Sequence, residues 1–158
     1  NDNLVCVWDV RSPAAPRMVV RSHRAAVRGL CWAPFREHLL ATGGGAGDMR
    51  VLVHNTQRQE TVREMLGDSQ VCALAWDERS RALISGHGFS RYQICLWDTE
   101  GEGGVQELLG HSHRVLSLCA AGATLFSASA DETVRVWDLH RHLLRAEKAG
   151  RIAPSAMR

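Results

Sequence analysis

Three short alternating runs, VRGLCWAP from Val27, VCALAWDE from Val71 and VLSLCAAG from Val115, recur 44 residues apart. A second series ends at Trp8-Asp9, His54-Asn55, Trp97-Asp98 and Trp137-Asp138, in steps of 46, 43 and 40 residues. A third, LLATGGG, ALISGHG and LFSASA, falls between the other two. Each unit therefore holds at least three short strands with Gly, Asp or Ser at the turns. Such a period marks an all-β repeat array, whose units cover their apolar faces only by stacking on neighbours.

Composition narrows the functional classes. At 45% hydrophobic and 23% charged residues, without an apolar run long enough for a bilayer, the 158-residue chain reads as soluble and globular. A net charge of +2, scattered along the chain, gives no argument for nucleic acid. The five cysteines, Cys6, Cys31, Cys72, Cys95 and Cys119, form no close pair and mostly sit in strand-like runs. They read as free thiols of an intracellular, reducing compartment. The sequence opens at Asn1 with no signal peptide, inside the phrase NDNLVCVWDV, and has the look of a cut chain.

Chemistry-bearing patterns are present but incomplete. GGGAGD from Gly43 has the glycines of a phosphate loop, yet an alternating strand, MRVLVHN, follows it where a helix would be needed. His111-Ser112-His113 and His140-Arg141-His142 lack the Cys or carboxylate partners of a tetrahedral metal site. No nucleophile, base and orienting acid converge outside the repeat pattern, so no enzyme, cofactor or metal is expected.

The units resemble WD40 repeats, whose four-stranded blades stack radially into a propeller. In the last unit His111, Ser127, Asp131 and Trp137 match the positions that form a hydrogen-bonded chain in such blades. Asp accepts from His, His contacts Ser, and Ser meets the indole N–H, which makes buried polar groups tolerable. On this reading Asp131 is structural. Three units plus the last strand of a preceding one fall short of a closed ring of typically 4–8 blades. An open array would expose apolar blade faces and strand edges.

Longer phrases resemble one family more closely: NDNLVCVWD, LLATGGGAGDMRVLVHNT, SQVCALAWDERSRALISGHGFSRYQICLWD, GHSHRVLSL and ADETVRVWD. They are similar to the final blades of the fizzy family, WD40 co-activators of the anaphase-promoting complex, a ubiquitin ligase. SGHGF is nearer to the mitotic fizzy branch than to the fizzy-related branch. The resemblance implies that residues 1–139 hold the end of blade 4 and blades 5, 6 and 7 of a seven-bladed propeller, with the family's amino-terminal ligase-binding box outside this sequence. There are departures. His54 stands where a blade-ending Trp is expected, leaving that unit's polar chain without its indole. CAAGATLF is shorter than the family's turn, and Ala46 replaces a Thr.

The resemblance also implies partners and sites. Asn1, Asn3, Gln70 and Arg114 match the family's partners of the KEN degron on the top surface. Taken alone, Arg114 reads as a solvated loop charge, and it is the resemblance that assigns it to the degron. Glu132 matches the acidic partner of the Arg in an Arg-x-x-Leu destruction box, against the plainer reading of a solvated turn. Residues 140–158 read as a flexible basic tail ending in Met157-Arg158, a near match to the Ile-Arg end that docks a helical-repeat subunit of the ligase. The implied protein recruits degron-bearing substrates in nucleus and cytoplasm, with checkpoint proteins among its implied partners. It needs neither nucleic acid nor membrane. The rival is a WD40 scaffold without degron binding.

Overall fold

A computed structural model of the chain describes residues 2–101 and 105–148. Strands β1 (Val5–Val7) and β2 (Met18–Val20) form a leading two-stranded sheet. A four-stranded antiparallel sheet follows: β3 (Val27–Trp32), β4 (Leu39–Gly44), β5 (Arg50–Asn55) and β6 (Glu60–Leu66). The next has the same order: β7 (Val71–Trp76), β8 (Leu83–His87), β9 (Ile94–Trp97) and β10 (Val105–Leu108). A three-stranded sheet, β11 (Val115–Ala121), β12 (Thr124–Ser129) and β13 (Val134–Asp138), completes the array. The fold is a WD40 β-propeller in part, with sheets stacked as blades. The preceding blade contributes two strands rather than the single one expected, because VCV and MVV are too short for an alternating pattern to register twice.

Strands β3, β7 and β11 are the inner strands and lie side by side. Each pairs with its neighbour through a bulge at the same place, with Arg28, Cys72 and Leu116 as the extra residues. Contact between blades is close at two glycines. A Cβ on Gly43 would come within 2.7 Å of Val71 Cβ, and one on Gly86 within 2.6 Å of Val115 Cγ1. Val71 and Val115, both fully buried, thus pack straight onto the backbone of the preceding blade. The glycine run from Gly43 divides accordingly: Gly43 and Gly44 are the end of β4, and the turn begins at Gly45.

One apolar cluster joins the two four-stranded sheets, with Val51, Val71, Leu83, Trp76 and Trp97 among its members. Another joins the last two sheets through Ile84, Leu96, Val115 and Leu125. Trp8, Leu30, Trp32, Phe126, Val134 and Val136 are exposed.

Residues Leu139–Lys148 form a helix, α1, within the stretch expected to be a flexible basic tail, of which residues 149–158 lie outside the described residues. Asp138 Oδ1 accepts the N–H of Arg141 at 2.9 Å, an N-cap bond, and Leu139 and Leu143 are buried one turn apart in the cluster of the last two sheets. The two leucines were hidden in the sequence by the basic residues around them.

Candidate peptide-binding surface

The polar chain of the last blade fixes the turn that carries the candidate residues. Asp131 Oδ2 accepts from His111 Nδ1 at 2.9 Å, Ser127 donates to His111 Nε2 at 2.7 Å, and Trp137 Nε1 donates to Ser127 at 2.8 Å. Asp131 also accepts the backbone N–H groups of Ser112 and Thr133, both at 3.0 Å, and the Thr133 hydroxyl at 2.6 Å. These donors, led by the Thr133 hydroxyl, hold its carboxyl far below the ordinary carboxylate range. The sequence-predicted four are together, and Asp131 is wholly engaged by its own blade.

The first complete blade keeps its chain despite lacking the indole. His23 Nδ1 donates to Asp48 Oδ2, Thr42 donates to His23 Nε2 at 2.6 Å, and His54 Nε2 donates to Thr42 at 2.8 Å. His54 Nδ1 accepts from the Thr61 hydroxyl at 3.0 Å. A neutral imidazole supplies the N–H that Trp would have given. Burial, with a smaller contribution from His23, pushes the pKa of His54 down to about 4.

Above these chains, the turns between second and third strands place Asn3, Met49, Tyr92 and Glu132 at equivalent positions. All four are left-handed, with φ of 62°, 59°, 54° and 64°. They lie 46, 43 and 40 residues apart, the same steps as the strand ends. Because every such turn has this geometry, the backbone of Glu132 is a property of the repeat and says nothing by itself about a ligand. The residue at these four positions differs in every unit. Glu132 is exposed and Asn3 half-buried.

A second ring of equivalent positions precedes the inner strands: Ala26, Gln70 and Arg114. Gln70 and Arg114 therefore stand at the same end of neighbouring inner strands. Gln70 O accepts from Gly88 N at 3.1 Å, and Arg114 O accepts from Ala130 N at 3.0 Å, so both rings are laced to the adjoining turns. Arg114 is exposed, and neither it nor Glu132 makes a side-chain hydrogen bond or ion pair among the described residues. The structure thus brings Gln70, Arg114 and Glu132 to one end of the array. Ala46 is exposed in the equivalent turn of the first complete blade. Asn1, Met157 and Arg158 lie outside the described residues.

Sequence reasoning passed over an aromatic group at the same end. Tyr92 stacks on His113 with ring centroids 5.7 Å apart and planes 9° from parallel, and Phe89 meets Tyr92 edge-on at 6.2 Å. Phe89 is 76% exposed, which a blade-internal role would not leave it. Its signal in the sequence was the aromatic content of GFSRY, lost among the glycines. Elsewhere, no group of three or more His, Cys, Asp or Glu side chains among the described residues is placed to hold a metal ion.

The WD domain, G-beta repeat family matches residues 104–138. "Cell division cycle 20.5, cofactor of APC complex" of Arabidopsis thaliana is 41% identical over 147 residues, which span 88% of this chain and 33% of the relative. "Anaphase-promoting complex subunit cdc20" of Dictyostelium discoideum is 41% identical over 141 residues, covering 87% of this chain and 28% of the relative. A solved structure titled "Crystal Structure of Mitotic Checkpoint Complex" contains a chain that superposes with a TM-score of 0.81 at 33% identity, over 87% of this chain and 44% of that one. This chain belongs to the fizzy family of WD40 proteins. It spans about a third of the length of the curated relatives it matches.

Proposed function

We propose that the chain is part of a substrate-recognising co-activator of the anaphase-promoting complex, acting by binding and not by chemistry. The observation behind this reading is the exposed Arg114 beside Gln70, with Glu132 in the adjoining turn, both charges unpaired among the described residues. Polar side chains mounted on rigid strand ends are what peptide capture requires. Arg114 and Gln70 suit the acidic and amide groups of a KEN motif, and Glu132 suits the Arg of an Arg-x-x-Leu motif through a bidentate pair. The names of the relatives, as cofactors or subunits of that complex, support the same assignment. Asn1 and Asn3 would complete the KEN site, Met157-Arg158 would dock a helical-repeat subunit, and the protein would work in nucleus and cytoplasm, with checkpoint proteins among its partners.

The test is a pair of anisotropy titrations on the intact protein, one with a KEN peptide and one with a destruction-box peptide. Arg114→Glu should remove KEN binding, and Glu132→Arg should weaken the Arg-x-x-Leu peptide by about tenfold through like-charge repulsion. Folded protein that binds neither peptide would favour the rival, a scaffold without degron recognition.

A further inference from the structure

At the end of the array opposite Gln70 and Arg114, a groove of about 550 Å³ runs between the two four-stranded sheets. Its lining includes Phe35, Arg36, Arg63, Trp76, Arg81 and Glu100. The floor is aromatic: Phe35 and Trp76 meet edge-on at 5.4 Å, and the Trp76 indole donates to Cys31 O at 3.3 Å. Arg63 ties one wall to the other by donating to the carbonyls of Thr99, Glu100 and Gly101 at 3.1, 3.3 and 2.9 Å. The groove is therefore held open by backbone-directed bonds.

The remaining charges are arranged differently. Arg81 lies 5.8 Å over the Phe35 ring, and its guanidinium reaches Glu100 at 3.2 Å. Arg36 reaches the same Glu100 oxygen at 3.6 Å. All three side chains are about half exposed, at 47%, 49% and 52% for Arg36, Arg81 and Glu100. Ion pairs this exposed contribute little to folding. Of the N–H groups on Arg36 and Arg81, one donates a hydrogen bond among the described residues. Two guanidinium groups thus share a single carboxylate at the lip of an aromatic cleft, with most of their donors free.

We infer that this groove between blades is a second binding site, for an extended acidic peptide segment of a partner protein that carries an aromatic side chain. Its carboxylates replace Glu100 on Arg36 and Arg81, where the planar fork of Arg favours bidentate pairing. Its ring enters against Phe35 and Trp76, beneath Arg81. The volume matches a cleft that encloses a few side chains, not a folded domain. The site is independent of the degron reading, since it uses none of its residues and faces the other way.

The probe is a dye-labelled peptide, acetyl-Glu-Asp-Phe-Glu-Asp-Trp-amide, titrated into the intact protein with anisotropy as the readout. Saturable binding is expected, weakened about tenfold by Arg36→Glu or Arg81→Glu and severely by replacing the peptide's aromatic residues with Ala. Glu100→Gln should tighten binding about twofold, because the internal competitor is gone. That variant decides the matter even if a charge reversal disturbs folding, since a purely structural Glu100 would leave affinity unchanged or lower it. Binding that ignores both reversals, a weaker Glu100→Gln, or no saturation at millimolar peptide would overturn the site. Inorganic phosphate that competes as strongly as unlabelled peptide would show a bare anion site and overturn the peptide assignment.

Discussion

The middle and last blades solve one problem with a histidine drawn from different places. In the last blade His111 comes from the loop before the inner strand and ends its chain on the Asp131 carboxylate. In the middle blade the position 44 residues earlier is Gly67, and Arg91 stands where the acceptor Asp would be. The imidazole is supplied instead by His87, at the end of the second strand. Trp97 Nε1 donates to Ser85 at 2.7 Å, Ser85 donates to His87 Nε2 at 2.7 Å, and His87 Nδ1 donates to the carbonyl of Ser69 at 3.3 Å. A Cβ at Gly67 would lie 3.0 Å from His87 Cε1, so the ring occupies the space that the glycine vacates. What the blade needs is an imidazole between a hydroxyl and an acceptor, and the chain position that provides it is free to change.

Breaking the comparison at its largest component means removing the tryptophans. Trp97 is 5% exposed within the cluster of the two four-stranded sheets, whereas Trp137 is half-buried at the margin of the cluster of the last two sheets. Trp97→Ala should cost about 3–5 kcal/mol and Trp137→Ala roughly half of that, read from denaturant unfolding of the intact protein. Equal costs would mean that the two indoles are equally enclosed in the folded protein.

Acid should separate the blades next. His54 and His87 are buried neutral, and burial lowers the pKa of both, that of His54 to about 4 from an ordinary 6.5. Below pH 6.5 the unfolded chain takes up protons that the folded chain refuses, so stability falls as pH drops from 6.5 towards 4. Above pH 6.5 neither residue contributes a slope. His54 alone should account for a loss of about 3 kcal/mol by pH 4. The depressed carboxyl of Asp131 acts in a lower window, since its stabilisation is lost only as pH falls below 3.8. Melting curves between pH 7.5 and 4.5 should therefore flatten in His54→Gln and not in Asp131→Asn.

Serine truncation should come third. Ser85 and Ser127 are both fully buried and each joins an indole to an imidazole. Either Ser→Ala change leaves two buried groups short of a partner, at about 1–3 kcal/mol by equilibrium unfolding. Gly67→His sharpens the comparison at smaller scale. Alone it should destabilise, because two imidazoles compete for one space, and adding His87→Gly should recover part of the loss, with a coupling of about 1 kcal/mol in the double-mutant cycle. Additive effects would mean that the two positions are not alternatives.

Much of this architecture was legible, and the exceptions share a cause. Strand ends at Trp8, His54, Trp97 and Trp137 and inner strands from Val27, Val71 and Val115 were readable because a repeat states its period several times. The chain through His111, Ser127, Asp131 and Trp137 was readable because those residues match the positions of such a chain in WD40 blades. His87 escaped because a positional pattern looks for the same residue at the same step, while packing asks only for a ring in a given space. The role of Gly43 and Gly86, which is to admit Val71 and Val115 across a blade interface, has no sign in the local sequence. Gln70 and Arg114 owe their shared end to the stacking of β7 on β11, which the 44-residue step implies, whereas the groove at Arg36, Arg81 and Glu100 joins residues with no common period.

The bulge at the start of each inner strand has a consequence for how this surface can vary. Arg28, Cys72 and Leu116 are single uncompensated residues, and each shifts the chain's alternation by one step just after Ala26, Gln70 or Arg114. Substitution at the end of the array is therefore cheap, while deletion is not. Removing Leu116 would restore an unbroken ladder and turn the residues ahead of Val115 over, sending Arg114 towards the neighbouring blade and away from solvent. Variation at this surface is confined to changes of letter at fixed length.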